Sequence, residues 1–463
     1  MPASNDNKTS DHHQMPEQSS EQLYGSETAK ALSNFTISEL KMPRAFLWAL
    51  GTLKGACAQA NLTLGLLDAD KAAAIQQAAR EVAKGLHDKQ FPLDVFQTGS
   101  GTSTNMNANE VIASLVKRNS ANKINVHAND HVNMGQSSND VIPSCIHLSA
   151  VKLISEQLLP ALQHLINTLD DKANEHQATI KTGRTHLMDA MPLSFAQEIS
   201  GWSAQLCFAH KQLQNSLQSL GQLAIGGTAV GTGVNTHPKF AATVTRILTE
   251  KNQWFISPAD NYFRAISAQD TAVFVSGILK TTAVSLSKIS NDIRWLSSGP
   301  LNGLNEIQLP ELQKGSSIMP GKVNPVIPEA VLMACTQVNG NDTTITLAGH
   351  SGNFQLNTML PLIAHNLVQS IQLLSSSCTT LADKAIKGMS INHSQIAQSL
   401  AKNPILATAL NDLIGYDKSA EIAKKAYAEN RTVLEVAKEL TDISEAELIV
   451  LLDPNKLINL NLR

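Results

Sequence analysis

Between Asp270 and Pro300 the apolar positions form a seam, with Leu279, Leu286, Ile289, Ile293 and Leu296 spaced seven, three, four and three residues apart. That spacing keeps them on one stripe of an α-helix, as in a coiled coil or a long bundle helix. Asp270 reads as the N-cap and Gly299-Pro300 as the stop, which predicts a helix of about 27 residues and about 40 Å. Small polar residues (Ser276, Thr281, Thr282, Ser285, Ser287 and Ser290) fill the positions between and let other helices approach closely. Similar segments run from about Val141 to Ala178, with a kink expected at Pro160, and over Phe195 to Leu220, Pro325 to Ala348 and Gln355 to Lys387. Five such helices make one central bundle, and the polar, glycine-rich clusters fall in the connections, where function is to be sought. From about Asn392 the periods shorten into several short helices with turns at Gly415 and Asn430. The expected division is a disordered arm over 1–22, an N-terminal helical domain over 23–137, a central bundle over 138–391 and a small helical domain over 392–463.

Composition narrows the class. The chain has 463 residues, 43% of them hydrophobic but only 4% aromatic, so its core must be aliphatic and alanine-rich, as in packed helices. A formal charge of −3 supplies no basic field for nucleic acid. No unbroken run of about 18 apolar residues occurs, so no membrane-spanning helix is expected. Residues 1–22 lack the apolar core of a signal peptide and the arginines of a transit peptide, and the His12–His13 pair there reads as solvated. Cys57, Cys145, Cys207, Cys335 and Cys378 are far apart, without CxxC pairs or histidines at ligand spacing. Disulfides, zinc and iron–sulfur clusters are therefore poorly supported, and buried free thiols in a reducing cytoplasm are expected.

Four clusters rich in Ser, Thr and Asn carry the candidate chemistry: TGSGTSTNMNANE (98–110), VHANDHVNMGQSSND (126–140), TGRTHLMDAMP (182–192) and GSSIMPGKVNP (315–325). Singly, such runs are turns and helix caps; four together in so aliphatic a chain suggest a shared anion site built from neutral donors. The last of them superficially suggests a phosphate loop. However, five residues rather than four separate Gly315 from Gly321, Val323 stands where Ser or Thr would meet magnesium, and the preceding LNEIQLPELQK is not a buried strand. The anion is therefore not expected to be a nucleotide phosphate.

Gly315 to Asn324 resembles the G-S-x-x-M-x-x-K-x-N signature of the fumarase/aspartase superfamily, and the other three clusters are similar to its remaining site segments in the same order. The resemblance spans about Tyr24 to the C-terminus. It implies an all-α, three-domain subunit whose five-helix bundles join into a twenty-helix tetrameric core, with each active site built from three subunits. Polar clusters need not then meet within one protomer. Within the superfamily, GRTHLMDA carries His186 where aspartases characteristically have glutamine. That segment, TGSGTSTNMN and GGTAVGTGVNTHP (226–238) look like the class II, metal-independent fumarases, whereas NPVIPEAV (324–331) is closer to aspartases.

The resemblance implies reversible hydration of fumarate to (S)-malate, without a metal or other cofactor and with a small dicarboxylate as the only ligand. The alternatives are an aspartate ammonia-lyase and, in another class, a non-catalytic scaffold of the same fold. It implies Ser316 as the base that takes the C3 proton and His186 as the acid/base handling water, with Glu329 paired to it. Ser100, Gly101, Thr102, Ser137, Ser138, Asn139, Thr185 and Ser317 would hold the carboxylates, while Lys322 and Asn324 clamp the charge that develops on one of them. A Ser-Lys hydrolase is disfavoured because Ser316 and Lys322 are not in S-x-x-K spacing. His127, Asn129 and Asp130 match a second anion site of the superfamily, although Ile124 occupies a position where a basic residue is expected, with Lys123 beside it.

Overall fold

A computed structural model describes residues 22–315 and 317–458. The expected N-terminal arm therefore lies almost wholly outside the described residues.

The chain opens with α1 (Ser26–Asn34), α2 (Arg44–Thr63), α3 (Ala69–Ala83) and α4 (Thr102–Asn119), and α2 packs along α3. The long helices follow. α5 (Ser138–Leu153) and α6 (Leu159–Glu175) replace the single kinked helix expected over 141–178. A π-helical turn over Ile154–Leu158 joins them, and Pro160 sits in the first turn of α6, where its missing N–H costs nothing. A hairpin of β1 (Ile180–Thr185) and β2 (Met188–Ser194) precedes α7 (Phe195–Leu220). Ser194 and Gln197 form the capping box that starts α7, which ends as expected at Gly221.

α8 (Phe240–Asn252) and α9 (Tyr262–Ser267) lead to α10 (Asp270–Leu296), whose 27 residues match the seam. Asp270 is its first residue rather than its N-cap, which is Gln269. α11 (Val326–His350) and α12 (Leu360–Leu381) complete the bundle, α10 lying along α11 and α11 along α12. α12 begins five residues later than expected because residues 352–357 turn back as a two-residue strand pair. Ser276 donates to Asp342 Oδ1 at 2.8 Å and Lys280 binds its other oxygen at 2.6 Å, so one buried carboxylate fixes α10 against α11.

Helices α2 to α8 and α10 to α12 share one large core, whereas residues 400–452 contain a separate cluster around Leu410, Ile422, Val436 and Leu448. This last unit comprises α13 (His393–Ala401), α14 (Asn411–Ile414), α15 (Tyr416–Glu429), α16 (Val433–Leu440) and α17 (Glu445–Leu451). The expected turns at Gly415 and Asn430 are present, both at positive φ, +80° and +52°. Two expectations need correction. Cys207 is exposed, the other four cysteines being buried. By length and mean hydropathy, though not by an unbroken run, α10 would also qualify to cross a bilayer; half of its most apolar stretch is buried inside the chain, as suits a core helix.

Candidate active site

Two helices begin at the first hydroxyl cluster. α4 starts after Gly101, whose φ of +72° is rarely taken by L residues and whose Cβ position the Ile142 side chain occupies. α5 starts behind Ser137, whose Oγ accepts the Asn139 N–H at 3.2 Å while its own N–H donates to Asp140 Oδ1 at 2.9 Å. Between these starts runs a row of hydroxyls: Ser100 Oγ lies 2.8 Å from Thr102 Oγ1, which lies 2.7 Å from Ser138 Oγ. Asn139 donates to the Ala229 carbonyl at 2.8 Å, bringing in the GGTAVGTG segment. The positive ends of two helix dipoles thus converge on one patch of hydroxyls, an arrangement suited to a carboxylate. Two of the four clusters and the 226–229 turn thus meet within one chain.

Asp140 anchors this junction. It is fully buried, and its second oxygen accepts the N–H groups of Gly226 and Thr228, each at 2.9 Å. Burial pushes its carboxyl up to about 6, against the opposing pull of those N–H groups, of Ser137 and of Lys54.

The TGRTHLMDAMP cluster, expected to be a connection, is the β1–β2 hairpin. Thr185 pairs with Met188, so His186 and Leu187 alone make the turn, at φ +55° and +62°. Both central residues at positive φ is the geometry that Asn-Gly usually supplies, and a leucine there is costly. Such strain is characteristic of functional segments, and here it holds Thr185, His186, Leu187 and Met188 exposed at the tip. The base is held firmly. Lys181 is fully buried between Glu198, at 2.7 Å, and Glu306, at 2.6 Å, and Arg184 also pairs with Glu306. Asn403, from the C-terminal unit, donates to the Ala190 carbonyl at 2.9 Å and to Thr182 Oγ1 at 3.2 Å. Replacing Lys181 with methionine leaves a buried carboxylate short of a partner and is expected to destabilise the chain by about 3 kcal/mol, read as a lower urea midpoint at unchanged slope.

The GSSIMPGKVNP loop closes on itself. Gly315 presses against the Lys322 carbonyl so tightly that a Cβ would lie 2.0 Å from that oxygen. Asn324 donates to the Gly315 carbonyl at 2.8 Å, so part of its amide serves the loop rather than a ligand. Lys322 is exposed, after the turn that Gly321 makes at φ +80°. Together with Asn324, Glu329, Arg294, Trp295 and Asn305 it lines a cleft of about 1070 Å³. Ser317 is exposed, and Ser316 lies outside the described residues.

Within one chain, then, the candidate residues fall into three parts: the hydroxyl row, the hairpin tip and the loop cleft. Among the described residues no hydrogen bond or ion pair joins His186 to Glu329, or either of them to the hydroxyl row. His127, Asn129 and Asp130 are exposed around a π-helical turn, with His127 Nδ1 3.0 Å from Asp130 Oδ2. Sequence reasoning missed Lys54, Asp140, Lys181, Glu306 and Asn403. Of these only Lys54 carried a visible signal, a lysine set between Leu53 and Cys57 in an otherwise apolar helix face.

The sequence matches the family described as Lyase over residues 16–340 and the one described as Fumarase C C-terminus over residues 406–459. It is 55% identical over 435 residues to a class II fumarate hydratase of Pseudomonas aeruginosa, covering 94% of each chain. With a class II fumarate hydratase of Xylella fastidiosa it shares 52% identity over 432 residues, covering 93% of this chain and 91% of that one.

The chain belongs to the class II fumarate hydratase family.

The structure agrees: the crystal structure of class II fumarase from Schistosoma mansoni superimposes with a TM-score of 0.92 at 38% identity, over 95% of this chain and 96% of that one. The all-α fold implied by the sequence resemblance is the fold of this family, and the hydratase expectation, rather than the ammonia-lyase or scaffold alternatives, is the one that these fumarate hydratase relatives bear out.

Proposed function

We propose that the chain hydrates fumarate reversibly to (S)-malate, by general acid/base catalysis without a metal, in sites assembled from different subunits of a homotetramer in the cytoplasm. The observation that carries this reading is the Ser100–Thr102–Ser138 row at the convergence of two helix N-termini, which offers a carboxylate several donors without a formal charge of its own. Such a site orients a dianion without binding it so strongly that product release suffers.

In the dehydration direction, Ser316 as its alkoxide takes the C3 proton and becomes the neutral hydroxyl, while a dianionic aci-carboxylate develops on the substrate. Lys322, with what remains of the Asn324 amide, stabilises that charge from its exposed position at the cleft. His186, with Glu329 beside it, protonates the departing hydroxyl; in the hydration direction the same pair takes a proton from the attacking water. Thr185 and Ser317 complete the carboxylate contacts, and Gly101, Ser137 and Asn139 shape the site through backbone and caps.

That no hydrogen bond or ion pair among the described residues joins His186 to Glu329, or either to the hydroxyl row, supports assembly between chains. So do the exposed apolar residues of the bundle helices, Phe274, Val284 and Trp295 on α10 and Met333 and Leu347 on α11. Residues 1–22, 23–137, 138–391 and 392–463 serve respectively as arm, N-terminal domain, bundle and C-terminal domain. His127, Asn129 and Asp130 form at most an accessory anion site.

Fumarate absorbance, followed with malate and then with aspartate in the presence of a chelator, tests the reading. Turnover of malate alone, undiminished by the chelator, is expected. Turnover of aspartate alone overturns the substrate, and activity lost to the chelator overturns the metal-free mechanism.

A further inference from the structure

We infer that Lys54 is a positioning residue of the hydroxyl row, fixing its geometry and supplying the positive potential that lets neutral hydroxyls hold a dianion. The inference deepens the hydratase reading and rests on it. Lys54 is fully buried on α2, and among the described residues its ammonium forms no ion pair: it donates to Asn133 Oδ1 at 2.8 Å and to Gln136 Oε1 at 2.9 Å. Both amides are thereby forced into one orientation. Their nitrogens turn back onto the intervening backbone, Asn133 to the Gln136 carbonyl at 3.2 Å and Gln136 to the carbonyls of Val132, at 3.0 Å, and Met134, at 3.2 Å. This locks the turn that delivers Ser137, Ser138 and Asn139.

The same oxygen of Asn133 also accepts from Asn105, at 3.1 Å, and Asn109, at 3.3 Å, on α4. One ammonium therefore organises an amide shared by α4 and by the turn before α5, the two elements that contribute the hydroxyl row. An apolar side chain in its place would take the donor from Gln136 Oε1 and leave Asn133 Oδ1 to the two α4 amides alone.

The charge has a second effect. A buried charge is screened weakly by the surrounding medium, so the ammonium acts over a distance, with the Asp140 carboxylate opposing part of its field. The titratable groups facing it are Cys57 on its own helix and Cys145 and Asp140 on α5. Burial pushes both thiols far up, so they stay neutral, and Asp140 titrates on the acid side near 6. Burial lowers the Lys54 ammonium to about 8, so among these groups Lys54 alone changes charge between pH 7 and 9.

The test is succinate binding by calorimetry, at pH 7 and pH 9, to the full chain and to Lys54→Met. The parent is expected to lose about tenfold in affinity as the ammonium discharges. The variant is expected to bind about tenfold more weakly at pH 7, with a raised KM and a smaller change in kcat, and to show no further loss at pH 9. A merely structural lysine would not produce a pH-dependent loss that vanishes in the variant. Parent affinity that is flat between the two pH values overturns the proposal whether or not Lys54→Met folds, as does a folded Lys54→Met that binds within twofold of the parent. A parent that neither binds succinate nor hydrates fumarate strikes instead at the hydratase reading.

Discussion

Replacing His186 with asparagine is expected to leave a folded chain that turns malate over at least about a hundredfold more slowly, the low end for loss of a general acid or base. The substitution suits the site because asparagine accepts the positive φ of the hairpin turn at least as readily as histidine does. Fold and turn are kept while the imidazole is removed. The hairpin base, with Lys181 and Arg184 on Glu306 and Asn403 on the Ala190 carbonyl, is untouched, so the thermal midpoint should hardly move. The measurement is kcat from fumarate absorbance beside a melting curve. A folded variant retaining more than about a tenth of parental kcat would remove His186 from the proton-transfer step.

An equally large loss, at least about a hundredfold in kcat, is expected for Ser316→Ala. Ser316 lies outside the described residues, and the expectation comes from its place in the GSSIMPGKVNP segment. The flanking structure shows why the change should be local. Gly315 lies against the Lys322 carbonyl and Asn324 bonds back to the Gly315 carbonyl, two contacts between described residues that tie the ends of the loop together. Removing that oxygen takes away the proposed proton acceptor while the Gly315 and Asn324 contacts remain available. The diagnostic is which constant moves. Loss in kcat with little change in KM fits a base, whereas near-normal kcat with a raised KM would make Ser316 a binding residue and send the search for the base elsewhere.

Helices were the legible part of this sequence where periodicity and end signals coincide. α7 and α10 begin and end within a few residues of expectation because a capping box at Ser194 and the Gly299-Pro300 stop reinforce the apolar stripe. The break before α6 was anticipated at Pro160, yet the irregularity is the π-turn just ahead of it, since a proline in a first turn leaves no hydrogen bond to break. The hairpin was illegible for a different reason: it turns on His-Leu, a pair that local propensity would not select, held by a distant Glu306 and Asn403. Candidate site residues were recognisable by type and neighbourhood. Their partners were not, because Thr102 meets Ser138 and Lys54 meets Asn133 across separations that no local pattern encodes. Lys54 illustrates the limit: its position in an apolar stripe implies burial, but only the fold shows that it has two amides to hold.

The reach of Asn403 into the hairpin gives the C-terminal unit a task that its small separate core conceals. It is a splint. Damage to its packing, even at Leu410 or Val436, would be felt first as a loosened turn at His186 and so as lost catalysis, before the bundle itself gave any sign of unfolding.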